Sequence, residues 1–204
     1  MWTQSEIEIE LVFIRHGETK SNQEKRYLGK TEEMLCAQGV DKLWKSKKNG
    51  GYPPADILFT GPMKRCLQTA ELLYPGKKLH IIPEWTEMDF GCFEGKNYEE
   101  LNGDSDYQEW IDSNGLIAFP GGEDRKTFTK RCKKGFEKAW NQMKQSACTK
   151  IRAVCIVHGG TIMALCDTYG PDSYFTYACE NGRGICCKAI MREDNLFFEG
   201  IQKF

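Results

Sequence analysis

The chain has 204 residues, with 28 basic and 29 acidic side chains and a formal net charge of −1 at pH 7. This near balance gives no reason to expect nucleic acid or a membrane surface as a partner, so any attraction for anions has to be local. A hydrophobic content of 40 % and an aromatic content of 12 % are typical of a globular domain and argue against an intrinsically disordered chain.

The first ten residues contain no basic segment followed by an apolar one, and no apolar run is long enough to cross a bilayer. We therefore expect a cytoplasmic protein without a signal peptide, in which the ten cysteines are reduced thiols. No C-x-x-C pair occurs, and Cys155 and His158 form a lone C-x-x-H. Buried small hydrophobic side chains are the favoured interpretation of these cysteines, ahead of a zinc site.

The first predicted element is a strand that opens at Ile7 and ends in the apolar run 11–14. A polar stretch to residue 33 predicts a loop with a short helix, and residues 34–48 have helical spacing. A second strand is predicted over residues 56–60. Pro62 predicts the start of a helix that runs to about residue 73, and a short strand follows at 79–82.

Residues 85–122 are irregular and rich in glycine, aspartate and aromatics, which predicts an excursion over the top of the sheet. A long helix is predicted from residue 124 to about 145, then a strand at 152–157 and a helix from Gly159 to near Gly170. Further strands are predicted at 175–178, 185–191 and 196–201, the last two as a hairpin. Strands that alternate with helices predict a single α/β domain, a three-layer α/β/α sandwich whose mostly parallel sheet has about six strands.

Four segments place polar or charged groups at the end of a predicted strand or the start of a predicted helix. In open α/β sheets ligands bind at the carboxyl ends of the strands, so we expect these groups to meet in one crevice. The segments are Arg15-His16-Gly17-Glu18-Thr19 with Asn22 behind it, residues 60–70 around Arg65, Glu87-Met88-Asp89-Phe90-Gly91 with Glu94, and His158-Gly159-Gly160-Thr161.

Two arginines and two histidines in one crevice suit a dianionic phosphoryl group. Arg15 and Arg65 offer forked donors, Gly159 lets a ligand approach the backbone, and helix starts at 62 and 159 are predicted to add N–H donors. A glycine-rich loop of the G-x-x-x-x-G-K type does not occur in the sequence, which excludes a P-loop nucleotide site.

The same residue types suit phosphoryl transfer. One imidazole can be the nucleophile and form a phosphohistidine, and the second can bind the transferring oxygens. A carboxylic acid can protonate the leaving oxygen and then activate water. The candidates for this acid are Glu87, Asp89 and Glu94.

In this order, the four segments resemble the motifs of the histidine phosphatase superfamily, the phosphoglycerate-mutase-like enzymes named for an R-H-G motif. The resemblance runs from residue 11 to about 161 and includes Leu35-Cys36-Ala37-Gln38-Gly39 and Pro120-Gly121-Gly122-Glu123. It implies that His16 is the phosphorylated nucleophile and Glu87 the proton donor. It also implies a phosphate pocket of Arg15, Arg65 and His158, with Asn22 as a further contact and no metal or other cofactor.

The resemblance implies a metal-independent phosphomonoesterase that acts on a small organic phosphate, in the branch that includes the α-ribazole phosphatases. The excursion at 85–122 is then expected to cap the active site of a single domain over residues 1–204. The alternatives are a phosphoglycerate mutase, which returns the phosphoryl group to a bound glycerate, and a non-catalytic phospho-ligand-binding protein. Nothing in the pattern marks a subunit interface, so the oligomeric state is left open.

The sequence also supports predictions for individual residues outside the proposed catalytic set. Gly61, Phe93 and Glu32 depart from residues frequent in the family, which bears on the rim of the pocket. Cys66 beside Arg65 is a candidate for an oxidant-sensitive thiol with a lowered pKa. Two residues are expected to be structural: Glu123, at the start of a helix, and His80. Four aromatic residues of the excursion indicate either a ring-bearing leaving group or local core: Tyr98, Tyr107, Trp110 and Phe119.

Overall fold

A computed structural model describes residues 7–146 and 151–204, and within these ranges it contains six strands and six α-helices. The strands are β1 (Ile7–Arg15), β2 (Ile57–Thr60), β3 (Leu79–Ile81), β4 (Arg152–Val157), β5 (Gly184–Arg192) and β6 (Asn195–Lys203). The helices are α1 (Lys20–Gln23), α2 (Ala37–Lys48), α3 (Lys64–Leu73), α4 (Ser105–Asp112), α5 (Arg125–Ser146) and α6 (Gly159–Tyr169). Short 3-10 helices lie at Pro83–Trp85, Gly91–Phe93 and Tyr174–Tyr177.

The six strands form one sheet in the order β3-β2-β4-β1-β5-β6. The first four of this order run parallel, whereas β5 is antiparallel to both of its neighbours. The predicted hairpin between β5 and β6 is present, and its two turn residues, Glu193 and Asp194, both have positive φ, as a tight hairpin turn requires. The predicted mostly parallel sheet of six strands is confirmed.

Helices cover both faces of the sheet. Leu11 and Phe13 of β1 pack in one core with side chains of α5 and α6, while Val12 and Ile14 pack in a second core with α2 and α3. Successive side chains of a strand point to opposite faces, so burial of all four requires cover on both sides. The predicted three-layer α/β/α sandwich is therefore confirmed.

Two elements differ from the prediction. Residues 175–178, predicted as a strand, coincide largely with the 3-10 helix Tyr174–Tyr177. Tyr174 and Tyr177 are buried three residues apart, which is the period of a 3-10 helix, and a strand would instead bury alternate residues. The helix predicted to open at Pro62 begins two residues later at Lys64, because Met63 supplies the first carbonyl that the helix uses.

Three of the four aromatic side chains that the sequence indicated within residues 85–122 form local core. Tyr107, Trp110 and Phe119 all lie against the ring of Tyr27, with ring centroids 6.0–6.3 Å from it. Tyr98 is instead 53 % exposed. The excursion is thus fastened to the loop that follows α1. That it caps the active site stays a prediction.

None of the helices within the described ranges combines the length and the apolar character needed to span a membrane. The nine cysteines within these ranges are all free thiols. In the same part of the chain, no three His, Cys, Asp or Glu side chains are grouped closely enough to hold a metal ion.

Candidate active site

The carboxyl ends of two neighbouring strands bring both predicted histidines together. His16 follows β1 and His158 follows β4, and these parallel strands pair with Arg15 opposite Val157. The centroids of the two imidazole rings are 5.1 Å apart, with the ring planes at 70°. Both side chains are buried. Two residues that are 142 positions apart in the sequence therefore share one crevice.

The tautomer of His16 follows from one hydrogen bond. Its Nδ1 lies 2.8 Å from the carbonyl oxygen of Gly17, which can only accept, so Nδ1 donates and carries the proton. Burial, and then the positive charges of Arg65 and Arg15, hold the pKa of His16 well below its usual value. The ring is consequently neutral, and its Nε2 keeps an unprotonated lone pair.

His158 has the opposite arrangement. The Nε of Arg65 donates to Nδ1 of His158 at 3.4 Å, so the proton of the neutral ring lies on Nε2. Burial first, and then the charge of Arg65, lowers the pKa of His158 well below its usual value. The two rings thus offer one unprotonated nitrogen, on His16, and one N–H group, on His158, which also lies 3.5 Å from Sγ of Cys66.

Arg65 lies in the first turn of α3 and is fully buried. Its Nη1 donates to the carbonyl oxygen of Thr31 at 2.9 Å, and its Nη2 donates to that of Gly29 at 2.7 Å. Nη2 also donates to the carbonyl oxygen of Leu28 at 3.5 Å, so one hydrogen of Nη1 is left for an anion after these three carbonyls are satisfied. The loop at residues 28–31 therefore fixes the guanidinium in place.

Arg15 brings a second guanidinium to the crevice. Its Nη1 donates to the carbonyl oxygen of Cys179 at 2.8 Å. Its Nε is buried and has no hydrogen-bond partner among the described residues. A Cβ at Gly159 would lie 3.4 Å from this nitrogen, so the first residue of α6 borders the unpaired donor. An N–H donor of this kind is suited to an anionic ligand.

Glu87 is the candidate acid that the structure places beside the two arginines. Its Oε1 accepts the backbone N–H of Met88 at 2.9 Å, and its Oε2 that of Gly160 at 3.4 Å. A Cβ at position 160 would lie only 2.4 Å from Oε1, so glycine is required for the carboxyl group to approach the start of α6. Burial raises the pKa of Glu87, although the two amides, Arg65 and Arg15 oppose this shift.

The other two candidate acids, Asp89 and Glu94, bind groups within loops. Asp89 pairs with Lys30 and accepts the backbone N–H of Gly91 at 3.1 Å. Glu94 accepts the backbone N–H groups of Gly29 and Thr31, at 2.8 and 3.0 Å. Glu94 thereby supports the loop whose carbonyl oxygens hold Arg65.

Asn22 lies near the crevice and is bound to a residue that the sequence did not indicate. Its Oδ1 accepts from the backbone N–H of Thr19 at 3.2 Å and from Nδ2 of Asn181 at 3.0 Å. Nδ2 of Asn181 also donates to the carbonyl oxygen of His16 at 3.1 Å. No local pattern marks Asn181, which lies in the loop before β5.

The prediction of a lowered thiol pKa for Cys66 is wrong. Its side chain is fully buried, with Sγ 3.5 Å from Nε2 of His158. Burial raises the thiol pKa and outweighs the neighbouring charge of Arg65, because a thiolate is poorly solvated there. The structure therefore gives no support for a reactive thiol at this position.

Two of the departures from the family pattern have structural explanations. A Cβ at Gly61 would lie 2.6 Å from the carbonyl oxygen of Trp85, so a serine there would require the backbone to shift. Glu32 accepts the backbone N–H of Lys64 at 3.0 Å and so caps the start of α3. One of the N–H donors predicted for a ligand at the start of this helix is therefore already bonded to Glu32.

Comparisons with known proteins identify the family of this chain. A family model described as the histidine phosphatase superfamily, branch 1, matches residues 11–181. Phosphoserine phosphatase 1 of Hydrogenobacter thermophilus is 25 % identical over 184 residues, which are 85 % of this chain and 83 % of that protein. A phosphoserine phosphatase variant from Entamoeba histolytica, solved in complex with phosphoserine, is similar with a TM-score of 0.72 and 25 % identity over 95 % of this chain and 96 % of the other.

The α-ribazole phosphatase of Shigella flexneri has the same fold, with a TM-score of 0.76 and 22 % identity over 93 % of this chain and 94 % of the other. The family model extends over most of the chain. The chain therefore belongs to the histidine phosphatase superfamily. It is an enzyme of the phosphatase type.

Proposed function

We propose that the protein is a metal-independent phosphomonoesterase that hydrolyses a small organic phosphate through a phosphohistidine on His16. The observation that carries the proposal is the hydrogen bond from Nδ1 of His16 to the carbonyl oxygen of Gly17, because it leaves Nε2 as an unprotonated nucleophile. The buried, unpaired Nε of Arg15 supports a phosphoryl group as the ligand beside it.

In the first step, the lone pair on Nε2 of His16 attacks phosphorus and the bond to the ester oxygen breaks. The positive charge that develops on the ring is stabilised by the Gly17 carbonyl oxygen. Arg15, Arg65 and the Nε2–H of His158 stabilise the charge on the phosphoryl oxygens. The leaving oxygen takes the carboxyl proton of Glu87 and departs as an alcohol.

In the second step, the Glu87 carboxylate takes a proton from water, and the oxygen of that water attacks phosphorus. The bond between phosphorus and Nε2 breaks, and its electron pair returns to the imidazole of His16. Inorganic phosphate leaves, with Glu87 protonated and His16 neutral again. Every proton and electron pair is thus accounted for without a metal ion.

The relatives support a phosphate monoester as the substrate. A phosphoserine phosphatase is 25 % identical over most of this chain, and an α-ribazole phosphatase has the same fold. Both names describe release of phosphate from an organic hydroxyl compound. Phosphoserine and α-ribazole phosphate are therefore the first two compounds to test.

With a chelator present, the protein is expected to release inorganic phosphate from at least one ester in a small panel. The panel consists of p-nitrophenyl phosphate, phosphoserine, α-ribazole phosphate, 3-phosphoglycerate and several sugar phosphates, and release is measured colorimetrically. Isomerisation of 3-phosphoglycerate without phosphate release would instead identify a mutase. Loss of activity with the chelator would contradict a metal-independent reaction, and no activity at all would favour a ligand-binding protein.

A further inference from the structure

Arg131 of α5 holds the backbone segment that carries Glu87. Its Nη1 donates to the carbonyl oxygens of Glu84 at 2.7 Å and Thr86 at 2.8 Å. Its Nη2 donates to the carbonyl oxygen of Glu87 itself at 3.3 Å. Three carbonyl oxygens within four residues therefore converge on one planar guanidinium.

Glu123 orients this guanidinium. Its carboxylate accepts from Nε of Arg131 at 2.9 Å and from Nη2 at 2.8 Å, which fixes the plane of the fork. The same carboxylate accepts the backbone N–H of Asp89 at 3.2 Å, and the backbone N–H of Glu123 donates to the carbonyl oxygen of Asp89 at 3.0 Å. The pair thus holds residues 84–89 on both sides of Glu87.

The carboxyl group of Glu87 depends on this support. Its hydrogen bonds come from the backbone N–H groups of Met88 and Gly160, and no side chain within the described ranges contributes one. Its position relative to His16 is therefore set by the backbone of residues 84–89 and the start of α6. Arg131 fixes the backbone of residues 84–89.

We propose that Arg131, oriented by Glu123, is a positioning residue for the proton donor Glu87, an inference that rests on the proposed function. Without Arg131, three carbonyl oxygens lose their donor and the segment shifts. A displacement of about 1 Å at a reacting group costs on the order of 10²-fold in rate. The phosphate pocket is built on other elements, so the loss falls on proton donation.

The test compares two kinds of ester. p-Nitrophenolate departs readily without a proton, whereas an alkoxide does not. Arg131→Met is therefore expected to lower kcat/KM for an alkyl phosphate on the order of 10²-fold, and to change that for p-nitrophenyl phosphate far less. Arg131→Lys and Glu123→Gln are also expected to lower the ratio of kcat/KM for the alkyl phosphate to kcat/KM for p-nitrophenyl phosphate, by smaller factors.

A double variant separates positioning from a general structural effect. If Arg131 acts through Glu87, then Arg131→Met costs no further kcat/KM for alkyl phosphates in a Glu87→Gln background. Arg152→Met is the matched control, because Arg152 also binds one carboxylate, that of Glu10, through Nε and Nη2 at 2.9 and 2.7 Å. It lies at the start of β4, and we expect an unchanged ratio.

Equal losses on both esters, or losses that multiply with those of Glu87→Gln, would overturn the inference. If Arg131→Met does not fold, Arg131→Lys and Glu123→Gln provide the same comparison. If Glu87→Gln does not discriminate between the two esters, the proton-donor assignment fails and this inference fails with it. If Glu87→Gln discriminates and the Arg131 variants do not, the inference alone fails.

Discussion

His16→Ala is expected to lower kcat for every phosphate ester on the order of 10⁴-fold or more, while the variant still binds the ester. The substitution removes the nitrogen that attacks phosphorus. It leaves Arg15, Arg65 and His158 to hold the phosphoryl group. Phosphate release measures the first expectation, and calorimetric titration with a slowly hydrolysed ester measures the second.

His80→Ala is the matched control for this variant. His80 lies in β3, and its Nδ1 contacts Oε1 of Gln142 at 2.8 Å. We expect this variant to keep its kcat. Turnover that survives in His16→Ala would mean that another group attacks phosphorus.

Glu87→Gln is expected to lower kcat/KM for alkyl phosphates about 10²–10⁴-fold and to leave kcat/KM for p-nitrophenyl phosphate nearly unchanged. The amide cannot protonate the leaving oxygen, and p-nitrophenolate does not need that proton. The value of kcat for p-nitrophenyl phosphate is expected to fall, because hydrolysis of the phosphohistidine still requires the carboxylate as a base. Steady-state kinetics on both esters measure all three values.

The pH profile of the wild-type protein follows from the same assignment. Glu87 is a proton donor only while protonated, so kcat/KM for alkyl phosphates falls as the pH rises through the raised pKa of this residue. His16 attacks only while unprotonated, and its lowered pKa keeps it competent well below pH 6.5. In the Glu87→Gln variant, the fall of kcat/KM at alkaline pH that is caused by titration of an enzyme group is expected to disappear.

Asp89→Asn tests whether a neighbouring carboxylate is the donor instead. Asp89 pairs with Lys30 at the surface of the loop, and this pair lowers the pKa of Asp89. An acid that is ionised at neutral pH is a poor proton donor. Discrimination between the two esters in Asp89→Asn, and not in Glu87→Gln, would transfer the role to Asp89.

The positions of the two histidines were predictable because each follows an apolar strand and precedes glycine. Arg15 and Val157 are the last residues of β1 and β4, and parallel neighbours in a sheet bring their carboxyl ends to one edge. The three layers of the sandwich were predictable because alternating strands and helices allow few other arrangements. The strand prediction at residues 175–178 was wrong because four residues of the sequence Phe-Thr-Tyr-Ala are too few to distinguish a strand from a 3-10 turn.

The support of the site was less accessible to sequence reasoning. Arg65 is held by carbonyl oxygens of residues 28–31, which any side chain could supply, so no residue type records the contact. Asn181 reaches His16 across 165 positions. The thiol pKa of Cys66 was predicted wrongly because the sequence shows the neighbouring charge of Arg65 but not the burial of Cys66. Contacts through backbone groups, long-range contacts and burial all require the fold.

The central claim is that a phosphoryl group is transferred to Nε2 of His16. The most direct test mixes Glu87→Gln with p-nitrophenyl phosphate, follows p-nitrophenol in the first turnover, and maps the phosphorylated residue after an alkaline quench. We expect a burst of one p-nitrophenol per active site and a phosphoryl group on Nε2 of His16, because the variant forms the intermediate faster than it hydrolyses it. Steady release without a burst, or a phosphoryl group on any other residue, would contradict the mechanism.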